Sequence, residues 1–303
     1  MSEHPSHAVL LDRVWVRHPG AAGHALRDVS FRLPERGLLA VVGESGAGKS
    51  TLVSLLSGFR SPDSGRVEIC GRSLAVGGPD LRGVRRKLGL IHQLPRPSLD
   101  PTQTALSAVA EPLVHLAGVP RKEAFSRAST LLERLGIGPD LHPRKPSALS
   151  GGQCQRAAVA RALVHEPAVL LADEATASLD DSTGRSLLSE STGLARERGQ
   201  AVLWVTHRLD EAERLGGGLL VLLAGLAVER MESFRSWDEV RHPYSVHLAA
   251  ARRAPVPPFV TSRTGCPFQH GCSLVLDACR SAIPAEAELS PGRWVRCVAA
   301  RPD

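Results

Sequence analysis

Three continuous apolar runs along the chain each stop at a polar cluster: LLAVVG (38–43), AVLLADE (168–174) and AVLWVTH (201–207). Short, unalternating runs of this kind suit strands buried on both faces, as in a parallel sheet with helices on either side. In open α/β sheets a ligand sits beyond the carboxyl ends of the strands, so the residues closing these runs are site candidates by position alone. A fourth apolar stretch, GLLVLLAGLAV (218–228), is too short to span a bilayer and is broken by Gly225, which predicts a strand and turn.

The first run leads into GESGAGKST (43–51), the spacing G-x-x-x-x-G-K-[ST]. Gly43, Glu44, Ser45, Gly46, Ala47 and Gly48 form a loop whose glycines let successive backbone N–H groups cradle phosphate oxygens. Lys49 adds a point charge near the terminal phosphates, and Ser50, followed by Thr51, offers a hydroxyl to Mg²⁺. The loop opens a predicted helix, KSTLVSLLSGF, with Leu52, Leu55, Leu56 and Phe59 on one face. Its N-terminus turns positive potential toward the phosphates. Nucleotide binding follows.

The second run ends in Asp173 and Glu174, the first placed to hold Mg²⁺ and the second to orient or deprotonate an attacking water. The third ends in His207, set for a γ-phosphate contact. Between them, in LSGGQCQRAAVARALVHEP (149–167), Ser150 and Gln153 have capping-box spacing, and Gly151 and Gly152 leave the helix start open to an anion. Ala157, Ala160 and Val164 form the apolar stripe of that helix.

Composition changes this picture little. A chain of 303 residues, 43% hydrophobic and 22% charged, is ordinary for a globular protein with one large or two modest domains. The net charge of +6 is carried almost wholly by arginine, since only Lys49, Lys87, Lys122 and Lys145 are lysines. No block of five or six like charges marks a nucleic-acid surface, and none is expected. The first residues show no basic region followed by an apolar core, so no secretory signal is expected and the predicted location is cytoplasmic.

Taken in order, GESGAGKST, the glutamine of IHQLPRPSLDP, LSGGQ, VLLADEATASLD and VLWVTH resemble the ATPase subunit of an ABC transporter over residues 10–230. The resemblance implies a mostly parallel α/β P-loop core (8–240) with a helical subdomain at about 94–160, working as a pair of ATPase subunits. It implies that Gln93 touches Mg²⁺ and senses the γ-phosphate, and that Asp173 holds the metal through water. Glu174 is then the catalytic base, assisted by Lys49 and His207, and Asp180 lines the dimer seam. Ser150, Gly151, Gly152 and Gln153 close over ATP held by the other subunit. Departures from the family pattern are Ala175, Arg208 and Cys154, and His18 where an adenine-stacking aromatic is usual, with Trp15 nearby.

HQLPRPSLDPTQTALSAVAEPL (92–113) and RHPYSVHLAAARRAPVPP (241–258) are similar to segments of oligopeptide and dipeptide permease ATPases, with a boundary near 255 inside an extension spanning 241–303. That extension gathers Cys266, Cys272, Cys279 and Cys297 in the spacing C-x5-C-x6-C-x17-C. In a reducing cytosol such a set suggests a metal or cluster rather than disulfides. Spacing alone leaves zinc and iron–sulfur open, and its departure from C-x2–4-C favours iron. The resemblance implies a [4Fe–4S] cluster. It also implies two membrane permease subunits, an identical or homologous second ATPase, an extracytoplasmic substrate-binding protein, and peripheral attachment to the cytoplasmic face of the membrane. Peptide import is the expected role. Nickel, another small solute, peptide export, a non-transport ABC ATPase, or a redox-regulatory one are the alternatives.

Overall fold

The computed structural model describes residues 7–75, 77–78, 80–251, 261–262 and 264–300; the boundary expected near 255 lies outside them. The chain opens with β1 (His7–Arg17), β2 (His24–Pro34) and β3 (Leu38–Val42), then α1 (Lys49–Leu56). Next come β4 (Ser64–Ile69), β5 (Arg72–Ser73), α2 (Leu81–Arg85) and β6 (Leu88–Ile91). A helical stretch follows: α3 (Pro95–Ser98), α4 (Ala105–His115), α5 (Arg121–Arg134) and α6 (Gly151–Leu163). The chain returns through β7 (Val169–Asp173), α7 (Asp181–Glu197), β8 (Ala201–Thr206) and α8 (Leu209–Leu215). β9 (Gly217–Leu223), β10 (Leu226–Phe234) and α9 (Pro243–Ala251) lead to α10 (Asp277–Ser281), β11 (Ala287–Ser290) and β12 (Arg293–Val295).

Among the described residues the main sheet has eight strands, in the order β11-β12-β10-β9-β3-β8-β7-β6. The five from β9 to β6 are parallel, and all three apolar runs lie among them. Their unalternating sequence is explained by burial on both sides. Ala40, Val42, Ala172 and Trp204 face the helical core, while Leu39, Val41, Leu171 and Leu203 face the other. On the helical face, Ala157, Ala160 and Val164 of the α6 segment pack with Leu131, Leu132 and Leu113.

The second face carries α1 and a four-stranded antiparallel sheet, β2-β1-β4-β5, that the sequence patterns did not announce. Register shifts between Leu11 and Val14 and between Val16 and Arg17 break the alternation of β1, so its apolar residues follow no clean period of two. Phe59 departs from expectation. Helix α1 ends at Leu56, Gly58 adopts φ 69°, and Phe59 is 63% exposed beneath the Arg85 guanidinium at 5.3 Å. The chain has turned out of helical phase before it arrives.

The GLLVLLAGLAV stretch forms the β9–β10 hairpin, as its pattern predicts. Leu223 pairs with Leu226 across Ala224 and Gly225, both at positive φ, which is a two-residue turn of the type that suits strand twist. Beyond it the extension folds back onto the core. β12 pairs antiparallel with β10, matching Arg230 with Trp294, and the two side chains stack at 3.6 Å. The Arg296 guanidinium donates to the carbonyls of Ala227 and Pro284 and to Asp28 Oδ2 at 3.2 Å, fastening the extension to β2.

Candidate nucleotide site and the cysteine cavity

The loop 43–48 leaves β3 and turns into α1 beside the ends of β7 and β8. Two glycines are required there by geometry. A Cβ on Gly43 would lie 2.3 Å from the Leu222 carbonyl oxygen, and one on Gly48 would lie 2.6 Å from that of Ala25, with φ at +105°. Lys49 is buried, and its Nζ donates to the Gly43 and Glu44 carbonyls at 2.8 and 3.0 Å. It also faces Glu174 Oε1 at 3.4 Å.

Glu174 is the hub of the site. Its Oε2 accepts from Gln93 Nε2 at 3.3 Å and meets His207 Nδ1 at 3.2 Å. The backbone there sits at φ 46°, unusual for a non-glycine residue, and is held by the Glu174 N–H to the Val205 carbonyl at 2.9 Å. Thus Lys49, Gln93, Glu174 and His207, drawn from four separate segments, converge. Beside them Asp173 has a buried Oδ1 with no hydrogen-bond partner among the described residues. Burial first and Glu174 second push its carboxyl upward, and Lys49 opposes them. Such an oxygen suits a cation. Ser50 is exposed in the first turn of α1.

The remaining predicted residues lie elsewhere. His18 Nε2 meets the Thr51 hydroxyl at 3.0 Å, at the foot of the loop. Trp15 sits edge-on to His24 and lines a separate cleft with Asp12, Asp28 and Arg66. Ser150 caps α6 in a full capping box: its hydroxyl accepts from Gln153 N–H, and Gln153 Oε1 accepts from Ser150 N–H at 2.9 Å. Gly151 has open space around it and Gly152 meets only Thr183, at 3.9 Å. Among the described residues no hydrogen bond joins this helix start to the loop 43–51. Asp180 caps α7, accepting from the Ser182 hydroxyl and from the Ser182 and Thr183 amides. Those bonds, the Ser182 hydroxyl foremost, hold its carboxyl well below the usual range.

Two further residues organise the site and were not read from the sequence. Glu211, 1% exposed on α8, accepts from Trp204 Nε1 at 3.2 Å, from Thr206 Oγ1 at 2.8 Å and from the Thr176 hydroxyl. It braces both segments that flank His207 and Glu174. An acid at the phase of Ala212 and Leu215 was the available signal. Arg208, noted only as a departure, bonds Asp181 Oδ1 at 2.7 Å and so ties the segment after His207 to the start of α7. The second is Tyr244, whose hydroxyl accepts the Glu44 N–H at 3.1 Å.

The four extension cysteines line a single cavity with His242, Pro243 and Phe268, and none forms a disulfide. Cys266 N–H donates to the Cys279 carbonyl at 2.7 Å. Burial raises the Cys266 and Cys272 thiols. Among the described residues, however, no three His, Cys, Asp or Glu side chains are placed to hold a single metal ion. Cys154 is elsewhere, its Sγ donating to the Pro146 carbonyl at 3.4 Å, and Cys70 follows β4.

His242 beside that cavity is buried, its Nδ1 accepting the Tyr244 N–H at 3.0 Å, and burial pushes its imidazole down to about 4. A histidine held neutral contributes stability that is complete above its unfolded value of about 6.5 and is lost as pH falls toward 4. The full span is worth roughly 3 kcal/mol. Urea midpoints are expected to fall from pH 7 to 5, with a shallower slope in His242→Asn. Equal slopes would refute the assignment.

Fold and site together define a P-loop ATPase cassette. The family model described as ABC transporter matches residues 26–177. The chain is 35% identical to a probable peptide ABC transporter ATP-binding protein of Sinorhizobium fredii, over 93% of this chain and 84% of that one. It is 42% identical to a methionine import ATP-binding protein of Thermobifida fusca, over 77% and 70%, and 33% identical to a di/tripeptide transport ATP-binding protein of Pseudomonas aeruginosa, over 90% and 89%. A bacterial ABC transporter cassette solved as a dimer superposes with a TM-score of 0.68 at 31% identity, covering 75% of this chain and 99% of that one. The chain belongs to the ABC transporter family. It is an ATP-binding, ATP-hydrolysing subunit, and among its described residues no helix is long and apolar enough to cross a membrane.

Proposed function

We propose that this subunit powers the import of oligopeptides or dipeptides. One observation carries the reading: the match to the peptide relative covers 93% of the chain, too much to leave out the 241–303 extension, whereas the methionine relative covers 77%. The subunit would sit on the cytoplasmic face of the membrane against two permease subunits and pair with a second ATPase. An extracytoplasmic binding protein would deliver the substrate. Uptake of labelled dipeptide and of labelled methionine by cells carrying the matching permease tests this. Uptake of methionine alone would replace the reading with its rival.

In hydrolysis, Glu174 takes the proton of the attacking water while Lys49 and His207 donate to γ-phosphate oxygens. Ser50, Gln93 and Asp173 would hold Mg²⁺, which neutralises phosphate charge; the orphaned Asp173 Oδ1 supports that donor set. His18 would lie beside the adenine. Gly43 through Thr51 would wrap the phosphates, while Ser150 to Gln153 and Asp180 would face the partner's nucleotide.

The extension would hold a [4Fe–4S] cluster on Cys266, Cys272, Cys279 and Cys297. The four thiols line one cavity and form no disulfide, which is the observation that supports a group shared among them. The cluster would cross-link a short segment. Protein purified without oxygen is expected to carry about four irons and four sulfides per chain, largely lost in Cys272→Ser. Zinc in their place, or neither metal, would sink this part of the proposal.

A further inference from the structure

The peptide unit joining Gly43 to Glu44 at the start of the phosphate loop is gripped on both sides. Its carbonyl, that of Gly43, accepts from Lys49 Nζ at 2.8 Å, and its N–H, that of Glu44, donates to the Tyr244 hydroxyl at 3.1 Å. A P-loop lysine moves its charge to the β- and γ-phosphates when nucleotide binds. The Tyr244 bond holds the start of the loop independently of that lysine.

Tyr244 does not belong to the nucleotide core. It lies in the first turn of α9, in the extension, with no exposed surface. The segment before it is clamped by the buried Glu229 of β10, whose carboxylate accepts the Arg241 and His242 N–H groups at 2.6 and 3.1 Å. The same α9 lends Leu248 and Ala251 to the cleft that holds Gly43, Glu44 and His207.

On its other side the Tyr244 ring meets Phe268 edge-on, with centroids 5.6 Å apart, and Phe268 also meets His247 at 5.5 Å. Phe268 is 2% exposed, two residues past Cys266, and lines the cysteine cavity together with His242 and Pro243. A buried ring of this size anchors the segment that carries the cysteines, 264–281, here called the cysteine lobe. Loop amide, tyrosine hydroxyl, tyrosine ring and Phe268 are thus joined by successive contacts that end at the cavity lined by Cys266.

We propose that Tyr244 is a positioning residue that couples the phosphate loop to the cysteine lobe. The folded lobe holds Phe268, Phe268 holds the Tyr244 ring, and the Tyr244 hydroxyl holds Glu44 in the geometry that receives phosphates. By linkage, nucleotide in the loop must firm the lobe by the same factor. The proposal rests on the ATP site above but not on which group the thiols bind.

Hydrogen exchange of segment 264–281 tests it in the full chain, with and without Mg²⁺ and the non-hydrolysable analogue AMP-PNP. In the native protein the analogue slows that exchange. Tyr244→Phe keeps the ring and deletes the hydroxyl. It is expected to weaken AMP-PNP binding about fivefold, as suits one lost hydrogen bond, and to abolish the slowing even at saturating analogue. Phe268→Leu keeps the hydroxyl bond and is expected to lose the slowing as well. A purely structural role would shift exchange equally with and without nucleotide. Slowing that survives in Tyr244→Phe, or that is absent from the native protein, overturns the proposal. Iron analysis of the same samples separates it from the cluster reading: coupling without iron strikes only the cluster, and iron without coupling strikes only the path.

Discussion

A Glu174→Gln variant is expected to bind ATP with near-native affinity and to hydrolyse it about a thousandfold more slowly, the scale of a lost general base. The amide is the same size as the carboxylate, so the contact to Gln93 and the Val205 backbone bond survive. What disappears is the proton acceptor and the negative charge beside Lys49. Removing that charge frees the lysine for phosphate, so affinity holds or improves while turnover collapses. Binding of a fluorescent nucleotide alongside a single-turnover hydrolysis assay reads both effects. A rate within tenfold of the native value would mean that another group takes the proton.

The second large effect is expected from one methyl group. Gly48→Ala places a Cβ 2.6 Å from the Ala25 carbonyl oxygen and 2.9 Å from a Leu26 methyl, at φ +105°. The nearer of the two is backbone, in a strand that is tied down. The Arg27 N–H is bonded to the Gly225 carbonyl, and Gly225 N–H to the Ala47 carbonyl, locking β2, the hairpin turn and the loop together. Backbone strain alone costs about 1–3 kcal/mol, and the clash adds to it by twisting the loop amides away from phosphate. Nucleotide affinity is expected to drop at least a hundredfold, with a lower urea midpoint. Gly151→Ala, in open space, is the control that leaves the unfolding free energy within about 0.5 kcal/mol of native. Native affinity in Gly48→Ala would show that the loop is far softer than its bonding implies.

What the sequence displayed was local chemistry at strand ends. Gly43 to Thr51, the Asp173–Glu174 pair and His207 each followed an apolar run, and the parallel order of β3, β8 and β7 brings the three ends side by side. The Ser150 capping box and the Ala224–Gly225 turn are likewise short-range features. Features made by distant pairing were not visible. Tyr244 meets Glu44 across 200 residues, and nothing near either one marks the other. The antiparallel sheet was hidden by the irregular register of β1. Phe59 misled because three well-phased leucines, Leu52, Leu55 and Leu56, precede a helix end marked by Gly58, just before it.

The way β12 lies along β10 bears on the company the protein keeps in a crowded cell. A nine-residue strand such as β10, left bare, offers a ladder of unpaired amides and carbonyls to any other extended chain. Here β12 takes up part of that ladder, and the outermost strand becomes β11, four residues long with Glu288 on it and no buried position. A short, wet, charged border is a poor template for edge-to-edge stacking. The segment that carries the cysteines therefore also guards solubility, whether or not its thiols are filled.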